Sequence, residues 1–151
     1  PAFFDALAAD RVRSINAPVA LLMQNKLIHA LIWQMAEHGA YFTPDECAVI
    51  RARFLPGSAE RPAGGRWFIK PAFGREGFGV RFDDGRFDPI VPSLWQAALD
   101  PPFVRCGSAA GLAVASCFII GGEPGAVVMR VGGAVTDPTA HVVPLAVSPN
   151  G

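Results

Sequence analysis

Cysteine, histidine and charge are all scarce in this chain. It has three cysteines and three histidines in 151 residues. Cys47, Cys106 and Cys117 are odd in number and show no CxxC spacing, and His29, His38 and His141 are scattered. That pattern argues against a disulfide framework and against a zinc site. The cysteines are expected to be reduced, mostly buried thiols of a cytoplasmic protein. Charged residues make up 17% of the chain, with 13 basic residues balancing 13 acidic ones. A neutral chain without a Lys/Arg cluster speaks against nucleic acid or an anionic membrane as its main partner. Long hydrophobic runs are missing too. The longest nearly apolar stretch, Gly111–Ile120, falls well short of the roughly 20 residues of a spanning helix. The start, Pro1-Ala2-Phe3-Phe4-Asp5, has neither a basic n-region nor an apolar h-region, so no signal peptide is expected. It also lacks an initiator Met, which suggests a piece of a longer protein, with part of a site outside it.

What the chain does have is apolar content, 51% of its residues. That supports one domain with a proper core and excludes a disordered chain. Its texture changes along its length. Residues 1–55 read as helical, 56–65 as a loop rich in Pro and Gly, and 66–151 as strands and turns, the last candidate strand being Val142–Val147. Leu27, Ile28, Leu31, Ile32 and Met35 mark one helical face, with Asn25 as N-cap and Gly39 just past the C-terminus. Thr43-Pro44-Asp45-Glu46 has the form of a capping box with proline at N1, opening a helix to about Arg53.

In the second part, Arg66–Lys70 reads as a strand. Phe78–Phe82, the turn Asp83-Asp84-Gly85 and Arg86-Phe87 read as a hairpin. Leu112–Ile120 and Ala126–Val131 read as strands around 121–125, with a short return at Ala134–Thr136. Helices followed by antiparallel hairpins make the expected class α+β.

The stretch Lys70-Pro71-Ala72-Phe73-Gly74-Arg75-Glu76-Gly77-Phe78-Gly79 carries the most chemistry. A strand delivers a lysine at its end, and a loop with glycines at 74, 77 and 79 follows. Glycine lets backbone N–H groups approach an anion closely. Lys70 supplies a point charge and Arg75 a forked donor. The pattern is neither a Walker A motif nor GxGxxG. By spacing alone, a phosphate loop and a plain glycine-rich hairpin with solvated charges are equally good readings.

Further strings accompany this loop in order: Gln24-Asn25-Lys26 before it, then Leu94-Trp95-Gln96, Gly122–Arg130 and Val135-Thr136-Asp137. The series resembles the C-terminal, ATP-grasp part of the glutathionylspermidine synthase family, from about Leu21 to Val147. The resemblance implies an ATP-grasp-like fold. It also implies an ATP-dependent ligase that joins a carboxylate to an amine through an acyl phosphate, with ATP and Mg²⁺ as cofactors. Its substrates would be small molecules, a glutathione-like acid and a polyamine-like amine. Lys26 and Lys70 would contact ATP, and the Gly74–Gly79 loop, with Arg75, Glu76 and Gly77, would cover the triphosphate. Gln96 would lie beside the adenine, and Arg130 would act as the catalytic residue at the transferring phosphoryl group or acyl phosphate.

Two features depart from the family pattern. Val131-Gly132-Gly133 follows Arg130 where members carry acidic residues, and Phe78-Gly79 stands where members often have an Asn. The metal ligands are left unassigned: Asp83 and Asp84 suit a turn, and Asp137 suits either a turn or a ligand. The alternative is a catalytically inactive relative that binds a nucleotide or a partner without turnover. A third reading is a structural domain whose glycines only make turns.

Overall fold

The computed structural model describes residues 2–13 and 18–145 of the chain. The helical part holds α1 (Ala2–Ala8), a 3-10 helix (Pro18–Gln24), α2 (Leu27–His38) and α3 (Pro44–Arg53). The strands are β1 (Gly57–Ser58), β2 (Trp67–Pro71), β3 (Arg81–Phe82), β4 (Ser93–Ala97), β5 (Phe103–Cys106), β6 (Ala109–Ile120), β7 (Glu123–Gly132) and β8 (His141–Pro144). They form two four-stranded sheets, ordered β1-β4-β2-β3 and β5-β6-β7-β8. Every pairing in both sheets is antiparallel. The mixture of helix and antiparallel sheet is the expected class.

The helix ends follow from side-chain chemistry. Asn25 Oδ1 accepts the Leu27 N–H at 3.0 Å, which satisfies one orphan donor of α2. Gly39 closes the helix in the left-handed conformation, φ 65°, and gives its N–H to Met35. Thr43 and Glu46 form the reciprocal capping box of α3, with Pro44 in the first turn.

Four of the five residues that mark the apolar face of α2, Leu27, Ile28, Ile32 and Met35, are half-buried, and Ile32 packs on the core. Leu31 is exposed, while Ala30 and Ala36 are buried. The helix is squeezed between α3 and the first sheet, and small side chains occupy the points of closest approach. Ala36 packs with Cys47 and Ile50, and Ile32, Trp33 and Phe42 close that cluster.

The strands depart from expectation in four places. Gly57–Ser58, inside the expected loop, is an edge strand on β4. A side chain at Gly57 would press on the His29 ring at 2.6 Å, so only glycine lets this edge run beneath α2. The hairpin expected around Asp83-Asp84-Gly85 does not form. Arg81–Phe82 pairs instead with Ile69 and Phe68 of β2, which makes the glycine-rich loop the connection of a β2–β3 hairpin. Asp83 and Asp84 accept the N–H groups of Gly85 and Arg86, and Arg61 donates to the Phe87 carbonyl. Local side-chain bonds of this kind compete with a strand ladder.

Third, the β6–β7 turn is only Gly121-Gly122, at φ 61° and 88°. Positive φ at both positions suits a tight two-residue hairpin, so pairing resumes at once with Ile120 opposite Glu123. Fourth, Ala134–Thr136 is irregular rather than a strand, and β5 joins the second sheet unannounced. The final strand covers His141–Pro144, and positions 146–147 of the expected strand lie outside the described residues. The cysteines correct another expectation. Cys47 is buried, but Cys106 and Cys117 are exposed.

One face of the second sheet holds a small core of Ala109, Ala113 and Val131, closed by Val104, Met129 and Val143. Register puts Val114, Arg130 and Val142 together on the opposite face. Val114 on that face and Gly77 of the glycine-rich loop border the same cleft.

Candidate functional site

Lys70 leaves β2 on the sheet face that lies under α2. Phe68 pairs with Gln96 and Lys70 with Leu94, so Lys70 and Gln96 share that face. Lys26 approaches from the N-terminal end of α2. Its backbone N–H bonds to the Ala72 carbonyl at 2.8 Å. Its ammonium bonds to the carbonyls of Gly74 at 2.7 Å and Pro71 at 3.3 Å. Lys26 thus ties the start of the helix to both ends of the first half of the loop. A side chain at Gly74 would lie within ordinary contact of Lys26 Nζ but would crowd the Phe78 carbonyl at 3.3 Å.

Lys26, Lys70, Gly77 and Gln96 line one cleft of about 350 Å³, closed on its far side by Val114 and Thr136. The cleft therefore draws on both sheets and on the glycine-rich loop. Gly74 and Arg75 line a neighbouring hollow of about 510 Å³ that shares Lys26 with the cleft. Arg75 is exposed and donates to Gln24 Oε1 at 3.3 Å. Glu76 is exposed and adopts φ 53°, a rare conformation for a residue with a side chain. The loop closes on itself through Phe78 N–H to Arg75 and Val80 N–H to Gly77. A larger groove of about 610 Å³ lies between α2 and the β1 region and holds none of the expected site residues.

The electrostatics of the cleft are one-sided. Burial pushes the Lys70 ammonium below the ordinary lysine range, and the nearby charge of Lys26 pushes it further. Lys26 is lowered by burial as well. No carboxylate lines the cleft, and among the described residues neither lysine forms a salt bridge. Two partly buried cations without an acid are a cost that a bound anion removes.

Gln96 is not free to turn its amide toward a base. Its Oε1 accepts a hydrogen bond from Lys70 Nζ. Arg130 sits on the cleft-side face of β7 but does not line the cleft. Its Nη2 donates to the Asp137 carbonyl at 2.7 Å, which pins the irregular segment after β7. Asp137 Oδ1 is occupied by the N–H and hydroxyl of Thr139. Asp83 accepts from Arg61 and Trp95. Among the described residues no group of three or more His, Cys, Asp or Glu could hold a metal ion.

Sequence reasoning missed His29 and Thr136. His29 follows Lys26 by three residues, so helical spacing places it on the same side, a signal that could have found it. Its Nε2 lies 2.6 Å from the Leu55 carbonyl, which requires a proton on that nitrogen. Thr136 meets the loop through its backbone carbonyl, for which side-chain chemistry carries no signal.

A family described as "Glutathionylspermidine synthase preATP-grasp" matches residues 2–148. The chain belongs to the glutathionylspermidine synthase family. The match spans both sheets and the cleft between them, and it establishes a relation to a family of ligases. That relation points to small-molecule substrates. No curated protein and no solved structure matches the chain. Among the described residues no helix is long and apolar enough to cross a membrane.

Proposed function

We propose that this chain supplies the phosphate-binding part of an ATP-dependent carboxylate–amine ligase with an ATP-grasp-like arrangement. The observation that carries the reading is the pair Lys26 and Lys70, converging on one cleft beside a glycine-rich loop with no acid to neutralise them. Phosphoryl transfer asks a protein mainly for positioning and positive charge. Lys70 and Lys26 would hold phosphate oxygens, and the loop from Gly74 to Gly79 would close over them. ATP would supply the phosphoryl group that activates a carboxylate toward an amine. Arg130 would reach the developing charge only after exchanging its bond to the Asp137 carbonyl. The family's name suggests a glutathione-like acid and a polyamine-like amine. The finer placement in the C-terminal ATP-grasp part of such a protein belongs to the same proposal, beside a family description that reads preATP-grasp.

A second reading is favoured by the segment after Arg130. Val131-Gly132-Gly133 offers no carboxylate, and the described residues hold no metal-ligand cluster. A relative that binds nucleotide without turnover fits those facts. The test is to supply the protein with ATP, an acid and a polyamine, and to follow ADP and amide product. Formation of ADP that depends on both acid and amine supports the ligase. Nucleotide binding without either product supports the inactive relative. No nucleotide binding contradicts both.

A further inference from the structure

The partner of Lys70 is a neutral amide in a place where a carboxylate would fit. A lysine ammonium drawn out of water is costly unless it is hydrogen-bonded or paired with an acid. Here the groups around it are Lys26 just before α2, His29 on α2, Gln96 from β4, Gly77 from the loop and Thr136 from the irregular segment after β7. Arg81 of β3 sits opposite Ile69, on the other side of the sheet, and stacks over Phe87. Arg130 lies on the cleft-side face of β7 and is held by the Asp137 carbonyl. Gln96 thus provides the side-chain acceptor for the ammonium and adds no charge.

The geometry also fixes which end of the Gln96 amide faces the lysine. Gln96 is on a strand paired on both sides, with Gly57 and with Phe68. Its Nε2 lies 3.5 Å from His29 Nε2. The proton on that histidine nitrogen is already given to Leu55, so the contact is between two donors and does not compete for the oxygen. An ammonium has three donors and no acceptor, so only Oε1 can serve it.

We propose that Gln96 is a positioning residue for Lys70: its uncharged oxygen aims the ammonium into the cleft and leaves the charge of the lysine pair available to an anionic ligand. The inference rests on the phosphate-site reading for the identity of that anion. A glutamate at this position would hold the ammonium as well and would cancel its charge. An apolar residue would leave the charge and lose the aim.

The test follows the Lys70 ammonium by NMR in lysine-labelled protein, assigned through Lys70→Arg, in the parent, Gln96→Glu and Gln96→Leu. Tripolyphosphate binding is measured in the same samples by calorimetry across pH. Gln96→Glu is expected to raise the Lys70 titration midpoint by about one pH unit or more and to weaken tripolyphosphate binding about tenfold or more. Gln96→Leu is expected to lower the midpoint, and the pH at which binding is lost should fall with it. If Gln96→Glu does not fold, judged by circular dichroism, Gln96→Leu carries the test alone. Unchanged midpoints, or a glutamate variant that binds as tightly as the parent, would overturn the role of Gln96. Midpoints that move while the parent binds no tripolyphosphate would overturn the phosphate-site reading and leave Gln96 in control of the Lys70 proton.

Discussion

Lys26 Nζ and the Gly74 carbonyl lie 2.7 Å apart, so the helix start and the glycine-rich loop are fastened by a charged group. The same ammonium reaches Pro71. Lys26→Met keeps the length of the side chain and removes both bonds. Hydrogen exchange of the amides between Gly74 and Val80 is expected to speed up in this variant while the amides of α3 are unaffected. Tripolyphosphate affinity is expected to fall about tenfold, the value of roughly 1.4 kcal/mol. Unchanged exchange in the loop would contradict the anchoring role.

Gly77 is the point where the loop touches the irregular segment after β7. It has φ 76°, and an added Cβ would collide with the Thr136 carbonyl. Gly77→Ala therefore meets both backbone strain and a backbone clash that no side-chain rotation relieves. Such a change at positive φ costs more than about 1 kcal/mol. The loop is expected to lift from residues 135–136, with a lower melting temperature and weaker anion binding. Gly85→Ala is the control: its φ is 79°, with open space around the added carbon. It should destabilise without touching anion binding.

Asp83 predicts an acid limb in stability. Burial raises its pKa, but the Gly85 N–H, the charge of Arg61 and hydrogen bonds from Trp95 and Arg61 outweigh this, and the net direction is below 3.8. A carboxylate lowered in the folded state contributes stability that is present above its unfolded value. That stability is lost as pH falls through the folded value. Denaturant unfolding should therefore lose stability below about pH 4. Asp83→Asn should be less stable than the parent at pH 7 and approach it as pH falls through the lowered folded value. A constant difference across pH would contradict the assignment.

Residues whose chemistry is local were legible in the sequence. The capping box of Thr43 and Glu46 and the left-handed Gly39 need only their own neighbours, and both form as read. Lys70 at a strand end also follows from local pattern. Partner choice was not legible. The strand Arg81–Phe82 was visible, but its pairing with β2 depends on the length of the glycine-rich loop and on Arg61 and Trp95, both distant in sequence, holding Asp83. Two-residue β1 has no periodicity to read. Gln96 was singled out through the resemblance as an adenine neighbour, yet its bond to Lys70 depends on register between β2 and β4. The burial of Ala30 and Ala36 over Leu31 depends on what packs against α2, which hydrophobic spacing does not encode.

The central claim is that Lys26 and Lys70 hold phosphate oxygens, and thermal unfolding with ATP tests it most directly. The parent chain and Lys70→Ala are compared with no ligand, with ATP in EDTA and with Mg-ATP. At 100 times Kd the nucleotide should stabilise the parent by about 2.7 kcal/mol, a rise of roughly 5–10 °C for a domain of this size. The rise should vanish in Lys70→Ala. Equal shifts in the parent and Lys70→Ala, or no shift in the parent, would contradict the claim.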